Sequence, residues 1–136
     1  MSKPWGYHVM VDVHGCDKEA ITNAATVRSF VKELVEKIDM KAYGEPIIVD
    51  FANHDPNKGG FTLVQLIETS NICGHFVSAT GDAYFDVFSC KEFDVSRVVT
   101  TVNDYFKPAD GFVKFIYRDA HHDYEAEVDL EIHSDQ

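Results

Sequence analysis

Residues 61–90 read FTLVQLIETSNICGHFVSATGDAYFDVFSC, and this stretch decides the fold. It contains three strand-like runs, at Phe61 to Thr69, Ile72 to Ala79 and Ala83 to Cys90, and the last two are joined by Thr80-Gly81-Asp82. Apolar runs of this length with short turn-forming connections are typical of neighbouring antiparallel strands. The stretch therefore predicts a β-meander.

A strand, a helix and another strand are predicted on the N-terminal side of the meander. Tyr7 to Val13 alternates as a strand, and Asp17 can cap the helix that follows. Apolar residues recur at three- and four-residue steps from Ile21 to Ile38, which predicts one amphipathic helix. Ile47 to Ala52 is a short apolar strand.

A helix and two strands are predicted on the C-terminal side. Asp94 begins a helix with apolar positions from Val95 to Phe106, and Phe112 to Tyr117 is a strand. From Tyr124 to Ile132 apolar residues alternate with acids, which predicts a last strand with one acidic face, paired with the strand before it. The acids are Glu125, Glu127, Asp129 and Glu131. This order predicts one domain over 1–136, an α+β two-layer sandwich with two helices on one face of a mostly antiparallel sheet.

Composition and charge exclude several classes of protein. The chain has 136 residues, 45% of them hydrophobic, with 12 basic and 23 acidic side chains and a net charge of −11. The apolar content is typical of a packed domain, and the negative charge opposes binding to nucleic acid or to an anionic membrane. No apolar run is long enough to span a bilayer, so we expect a soluble, cytoplasmic protein.

The cysteines and histidines do not predict a disulfide framework or a metal site. Cys16, Cys73 and Cys90 are odd in number and lack CxxC spacing, which favours free thiols. A metal site at His121-His122-Asp123 is disfavoured because three adjacent residues cannot all face one ion, and a polar turn fits them better. His8, His14 and Cys16 lack a second Cys/His pair, and we expect no bound metal.

Three side chains that can carry chemistry lie on neighbouring predicted strands: the Ser70 hydroxyl, the His75 imidazole and the Cys90 thiol. Antiparallel strands are about 4.8 Å apart, so residues remote in sequence can converge near the turn at Ser70. Spacing alone also fits a turn serine, a sheet histidine and a strand-end cysteine, none of them catalytic.

Three motifs, in order, resemble those of the small prokaryotic S-adenosylmethionine decarboxylase proenzymes. They are Gly6-Tyr7-His8-Val9-Met10-Val11-Asp12 followed by Gly15-Cys16-Asp17, then Ser70 with His75 five residues later, then Asp86-Val87-Phe88-Ser89-Cys90. The resemblance covers about Gly6 to Tyr117, so 6–118 forms a family-like core. It leaves 119–136 as an acidic hairpin strand and tail.

The resemblance implies a self-processing chain. Ser70 matches the serine whose hydroxyl attacks the carbonyl of Thr69, after which the chain breaks between these residues and Ser70 becomes a pyruvoyl group. His75 matches the histidine that removes the Ser70 α-proton. Thr62 occupies the position of a serine that stabilises the oxyanion-like intermediate.

The mature family enzyme is a pyruvoyl-dependent carboxy-lyase. The resemblance implies a Schiff base between the pyruvoyl group and a small cationic amino-acid-type substrate, followed by loss of carbon dioxide. Cys90 matches the residue that returns a proton to the substrate. The implied product is decarboxylated S-adenosylmethionine for spermidine biosynthesis, made by a homodimer of cleaved protomers with active sites at the interface.

Several positions depart from the family pattern. The residue before the processed serine is Thr69 instead of glutamate, and the one after it is Asn71 instead of histidine. The family's T-W-P-E, whose glutamate contacts ribose, is here Phe76-Val77-Ser78-Ala79, and the loop at 55–58 has no aromatic ring to stack on adenine. Because these departures concern adenosine, arginine or ornithine is an alternative substrate. An uncleaved homologue that acts as a binding or regulatory subunit is the other alternative.

Glu68 is a further candidate for substrate binding. On a strand, Glu68 and Ser70 point to the same face, which would bring a carboxylate close to the pyruvoyl group. There it could bind the sulfonium of S-adenosylmethionine or the distal cation of arginine or ornithine. A carboxylate solvated at a strand end fits equally well.

Overall fold

A computed structural model describes residues 3–51, 54, 55, 57–124 and 127–133. In chain order its elements are β1 (Gly6–His14), α1 (Lys18–Ile21), α2 (Ala24–Lys37), β2 (Ile47–Phe51), β3 (Gly60–Ile67), β4 (Ser70–Val77), β5 (Asp82–Ser89), α3 (Val95–Phe106), β6 (Asp110–Arg118) and β7 (Glu127–His133).

Within the described part of the chain, seven strands form one sheet in the order β2-β3-β4-β5-β1-β6-β7. Every neighbouring pair is antiparallel. The meander β3-β4-β5 is continuous, and β1 lies between β5 and β6. The predicted α+β two-layer sandwich is confirmed.

One face of the sheet packs against the helices through buried aromatic and aliphatic side chains. Phe30 of α2 and Phe106 of α3 have ring centroids 4.8 Å apart, and both contact Phe85 of β5. Phe76 of β4 completes this aromatic cluster and is almost fully buried. Because the cluster joins both longer helices to the middle of the meander, it fixes the two layers against each other.

The opposite face, which we call the open face, carries three cross-strand rows. The first is Val49, Thr62, His75, Tyr84, Asp12 and Phe112; the second is Ile47, Val64, Cys73, Asp86, Met10 and Lys114; the third is Leu66, Asn71, Phe88, His8 and Ile116. The exposed apolar residues in these rows are Ile47, Val49, Leu66, Tyr84 and Phe112, and Phe51 at the end of β2 is also exposed. None of the helices in the described residues covers these side chains.

The prediction of a single helix from Ile21 to Ile38 is wrong, because the helix is interrupted at Thr22 and Asn23. The Asn23 side chain accepts hydrogen bonds from the N–H groups of Ala25 (2.9 Å) and Thr26 (3.2 Å) and so starts α2 as a new helix. The short α1 before it has the predicted Asp17 as N-cap. The structure therefore has three helices in its described residues, one of them a single turn.

The ends of two meander strands also differ from the predictions. β3 ends at Ile67 and β4 begins at Ser70, so the two-residue turn consists of Glu68 and Thr69. The expected strands extended to Thr69 and began at Ile72. Ser70 is consequently the first residue of a strand.

The last predicted strand is present and pairs with β6, from Ile116 opposite Glu127 to Asp110 opposite His133. Its acidic face stays a prediction, and Glu125 lies outside the described residues, as does Ala52 at the end of the predicted second strand. The longest helix among the described residues is α2 with 14 residues, and none of them is long and apolar enough to cross a membrane.

Two glycines with positive φ give a matched test of the β3-β4 packing. A Cβ on Gly60 (φ 149°) would lie 1.9 Å from the carbonyl oxygen of Phe76, whereas a Cβ on Gly44 (φ 76°) meets no atom within 4 Å. We expect Gly44→Ala to lower the free energy of unfolding by about 1–2 kcal/mol through backbone strain alone. Gly60→Ala should lower it by more than about 3 kcal/mol, because the clash adds to strain. Urea denaturation measures both, and equal losses would contradict this account.

Candidate active site

The turn between β3 and β4 brings Thr69 and Ser70 next to the end of β5. Ser70 pairs in register with Ile67 on one side and with Ser89 on the other. The N–H of Cys90 donates a hydrogen bond of 3.1 Å to the carbonyl oxygen of Thr69. The sequence-predicted residues Thr69, Ser70 and Cys90 are therefore close together, and the Thr69 carbonyl is polarised by a backbone donor.

Burial differs across this cluster. Ser70 and Thr69 are half-buried, Ser89 is completely buried, and Cys90 is exposed directly after β5. A hydroxyl at Ser70 and a thiol at Cys90 are thus held at the same end of the sheet, with the thiol open to solvent.

Side-chain hydrogen bonds attach Thr69 to two residues that the sequence did not single out as site residues. The Ser89 hydroxyl donates to Thr69 Oγ1 at 2.7 Å, and Thr69 Oγ1 donates to the sulfur of Met40 at 3.4 Å. Ser89 Oγ also accepts from the N–H of Lys91 at 2.9 Å. Ser89 belongs to the motif Asp86-Val87-Phe88-Ser89-Cys90, but no sequence pattern connects Met40 with this turn.

His75 and Thr62 form a second cluster, away from Ser70. They are cross-strand partners on the open face, with Thr62 Oγ1 and His75 Nδ1 3.4 Å apart. His75 lies five residues along β4 from Ser70, about 16 Å at roughly 3.3 Å per residue, and on the other face of the sheet. The expected convergence of His75 with Ser70 near the turn therefore does not occur within one chain.

Glu68 lies in the turn instead of on a strand, so the argument that placed it on the face of Ser70 is wrong. Its carboxylate forms an ion pair of 3.5 Å with Lys41 Nζ, and its N–H donates to the Lys41 carbonyl at 2.9 Å. The side chain is 49% exposed. Any cationic substrate group would compete with Lys41 for this carboxylate.

The remaining metal and thiol candidates lie elsewhere. Burial, with the nearby charges of Asp82 and Asp17, raises the pKa of the Cys16 thiol to about 12. Burial and then Asp86 raise the pKa of Cys73 on the open face. In the described ranges no three His, Cys, Asp or Glu side chains are grouped to hold a metal ion.

The fold and this site define a class of protein. It is a two-layer α+β protein in which a serine directly follows a hairpin turn, and the carbonyl before that serine accepts a hydrogen bond from the backbone N–H of a cysteine. The sequence profile of the S-adenosylmethionine decarboxylase family matches residues 7–119, from β1 to the end of β6. The chain belongs to the S-adenosylmethionine decarboxylase family and is a decarboxylase, a carboxy-lyase.

Individual relatives agree with this assignment. An S-adenosylmethionine decarboxylase proenzyme of Clostridium botulinum (strain Hall) is 29% identical over 102 residues, which are 73% of this chain and 81% of the relative. A proenzyme of the same description from Caldicellulosiruptor saccharolyticus is 31% identical over 87 residues, 64% of this chain and 65% of the relative.

The crystal structure of the adenosylmethionine decarboxylase from Aquifex aeolicus superposes with a TM-score of 0.75 at 20% identity. The match covers 92% of this chain and 99% of the other. At this identity it shows that the two chains share a fold.

Thiol accessibility gives a test of the site geometry. In the native protein we expect iodoacetamide to modify the exposed Cys90 first and Cys73 more slowly. Cys16 should react at least about tenfold more slowly than Cys90, since it is buried and only its thiolate reacts. Peptide mass spectrometry after timed labelling measures the order, with urea-unfolded protein as the control in which all three react. Equal labelling of Cys16 and Cys90 in the native protein would contradict the structure.

Proposed function

We propose that the chain is the proenzyme of a pyruvoyl-dependent S-adenosylmethionine decarboxylase that cleaves itself between Thr69 and Ser70. The observation that carries the proposal is the hydrogen bond from the Cys90 N–H to the Thr69 carbonyl oxygen, with the Ser70 hydroxyl on the adjoining residue. The enzyme would act in the cytoplasm and supply decarboxylated S-adenosylmethionine for spermidine biosynthesis.

The first step converts the amide between Thr69 and Ser70 into an ester. Ser70 Oγ attacks the Thr69 carbonyl carbon, a C–O bond forms, the C–N bond breaks, and the hydroxyl proton moves to the Ser70 nitrogen. Negative charge develops on the Thr69 carbonyl oxygen, where the Cys90 N–H already donates a hydrogen bond. A donor aimed at that oxygen before reaction lowers the barrier without reorganisation.

The second step is an elimination. A base removes the α-proton of Ser70, its electron pair forms a Cα–Cβ double bond, and the Cβ–O bond breaks to release Thr69 as a carboxylate. Addition of water and loss of ammonia then leave a ketone at residue 70. The family resemblance assigns the base to His75, and an imidazole exchanges protons near neutral pH.

The residues near Ser70 fit the resulting pyruvoyl group. Once formed, that group supplies a carbonyl that condenses with a substrate amine and accepts the electrons released with carbon dioxide. The exposed Cys90 thiol beside it is available to return a proton to the substrate.

We propose that His75 and Thr62 act on Ser70 of a second copy of the chain. Within one chain an extended strand separates His75 from Ser70. A second copy packed on the sheet could bring both residues to the end of β4 where the other copy's turn lies, and the proton that His75 would remove there is on the backbone Cα of Ser70. The site would then be complete only in a homodimer of cleaved protomers.

The open face supports a second copy as its occupant. Ile47, Val49 and Phe51 on the β2 edge and Phe112 on β6 are largely exposed, and apolar patches of this kind mark interfaces. The centre of the face is polar, with His75 and Thr62 in one row. An interface that buries these exposed apolar side chains would bring His75 and Thr62 close to the partner.

Arginine or ornithine is the second candidate substrate. The position of the family's ribose-binding glutamate is Ala79, which has no carboxylate, and its backbone carbonyl accepts a hydrogen bond of 3.0 Å from Lys18 Nζ. This observation weakens the assignment of adenosine binding but not of decarboxylation. Release of labelled carbon dioxide from S-adenosylmethionine, arginine and ornithine decides between the substrates.

We expect the purified chain to convert into fragments 1–69 and 70–136, the second without a free amino group. Ser70→Ala should remove both cleavage and decarboxylation, because it lacks the nucleophile and the precursor of the ketone. Intact mass and Edman sequencing measure the fragments. Ser78→Ala, a change of the same kind near the far end of β4, is the matched control and should cleave normally. A wild-type chain that stays intact on prolonged incubation would favour the non-catalytic binding or regulatory subunit.

Complementation between variants tests whether His75 acts across a dimer. His75→Ala and Ser70→Ala chains should each remain uncut alone. When they are co-expressed with tags of different size, the His75→Ala chain should be cut, because it keeps Ser70 and receives His75 from the other copy. Denaturing electrophoresis identifies which chain is cut. If mixed dimers form and neither chain is cut, His75 acts within its own chain.

A further inference from the structure

We propose that Ser89 is a positioning residue for self-cleavage, and that its hydroxyl and that of Thr69, which we call the hydroxyl pair, hold the Thr69–Ser70 peptide in its reactive position. The proposal rests on the proposed function, since it concerns the rate of the same cleavage. It assigns Ser89 no contact with the substrate.

The Ser89 hydroxyl is completely buried and fully used. Its oxygen accepts from the Lys91 N–H at 2.9 Å, and its proton goes to Thr69 Oγ1 at 2.7 Å. Met40 Sδ is a second, weaker acceptor at 3.7 Å, so the shorter bond to Thr69 Oγ1 favours one position of the Thr69 side chain.

The hydroxyl pair is also hydrogen-bonded to a residue outside the sheet, Met40. Thr69 Oγ1 donates to Met40 Sδ at 3.4 Å, and the Met40 N–H donates to the Val35 carbonyl at 2.9 Å at the end of α2. The Met40 side chain also packs against the core. The turn is therefore linked through Thr69 both to the end of β5 and to the end of α2.

Two consecutive residues of the chain hold Thr69 at two points. Ser89 binds its side chain, and the Cys90 N–H binds its carbonyl oxygen. Two attachments on one residue restrict rotation of the carbonyl about the chain, which keeps it aligned for attack by Ser70. After cleavage Thr69 is the carboxyl end of the other fragment, so the hydroxyl pair acts on the precursor.

Four variants test the hydroxyl pair: Ser89→Ala, Ser89→Thr, Thr69→Val and the Ser89→Ala/Thr69→Val double variant. We expect Ser89→Ala and Thr69→Val each to slow cleavage about tenfold, the effect of about one lost hydrogen bond. Ser89→Thr keeps a hydroxyl and should cleave within about twofold of wild type. The double variant should be no more than about twofold slower than the slower single variant, because each single variant already removes the bond between Ser89 and Thr69, and only the bonds to Lys91 and Met40 are lost separately.

The measurements separate positioning from stability. Cleavage is followed by denaturing electrophoresis, and hydroxylamine, which cuts esters, reports how much chain has passed the first step. Melting temperature is measured on a parallel set of the same variants, each also carrying Ser70→Ala so that only precursor is present. A lower melting temperature with an unchanged hydroxylamine-sensitive fraction would overturn the proposal, as would wild-type cleavage by Ser89→Ala or additive losses in the double variant.

Cleavage of the wild-type chain tests the proposed function separately from the role of Ser89. If wild type does not cleave, the proposed function fails, and the role of Ser89 fails with it. If wild type cleaves and the Ser89→Ala and Thr69→Val variants cleave as fast as wild type, only the positioning role is excluded. If Ser89→Ala does not fold, Thr69→Val, at a half-buried position, carries the test with Ser89→Thr, and cleavage of Thr69→Val at the wild-type rate excludes the role.

Discussion

The pairing register between β4 and β5 is the constraint on which the candidate site depends. It sets Ser70 opposite Ser89 and brings the Cys90 N–H to 3.1 Å from the Thr69 carbonyl oxygen. A slip by one residue would turn every side chain of β4 to the other face and remove Ile72 from the core. The apolar burial that stabilises the sheet therefore also fixes the geometry of the Thr69–Ser70 peptide, for which we propose cleavage.

The same strand explains why part of the site could be predicted from sequence and part could not. The motifs identified Ser70, His75 and Cys90, and antiparallel pairing of predicted strands was enough to bring Ser70 near Cys90. An interval of five residues on an extended strand, however, puts His75 far from Ser70 and on the opposite face. The contact of Thr69 with Met40 depends on where α2 ends in space, which local sequence patterns do not determine.

The pattern of apolar residues predicted the elements of the fold correctly except where an N-cap residue interrupted a helix. Apolar runs with short connections predicted the strands of the meander, and alternation predicted the last strand and its pairing with β6. Asp17 and Asp94 are N-caps as expected. The apolar steps of three and four residues continue across Thr22 and Asn23, so periodicity alone predicted one helix. Asn23 breaks it because its side chain satisfies two N–H groups that a continuous helix would bond to carbonyls.

The net charge of −11 sets a condition on the proposed pair of copies. Two such chains repel each other, so the faces that meet must compensate their own charge. On the open face, His8 Nε2 lies 3.0 Å from Asp86 Oδ1, and Lys114 partly opposes the rise in the pKa of Asp12 that burial and Asp86 cause. The hydrogen bond to Asp86 and the lysine near Asp12 reduce the repulsion between two such faces, which can then meet through their exposed apolar side chains. The acidic excess then limits association at long range without preventing contact at the interface.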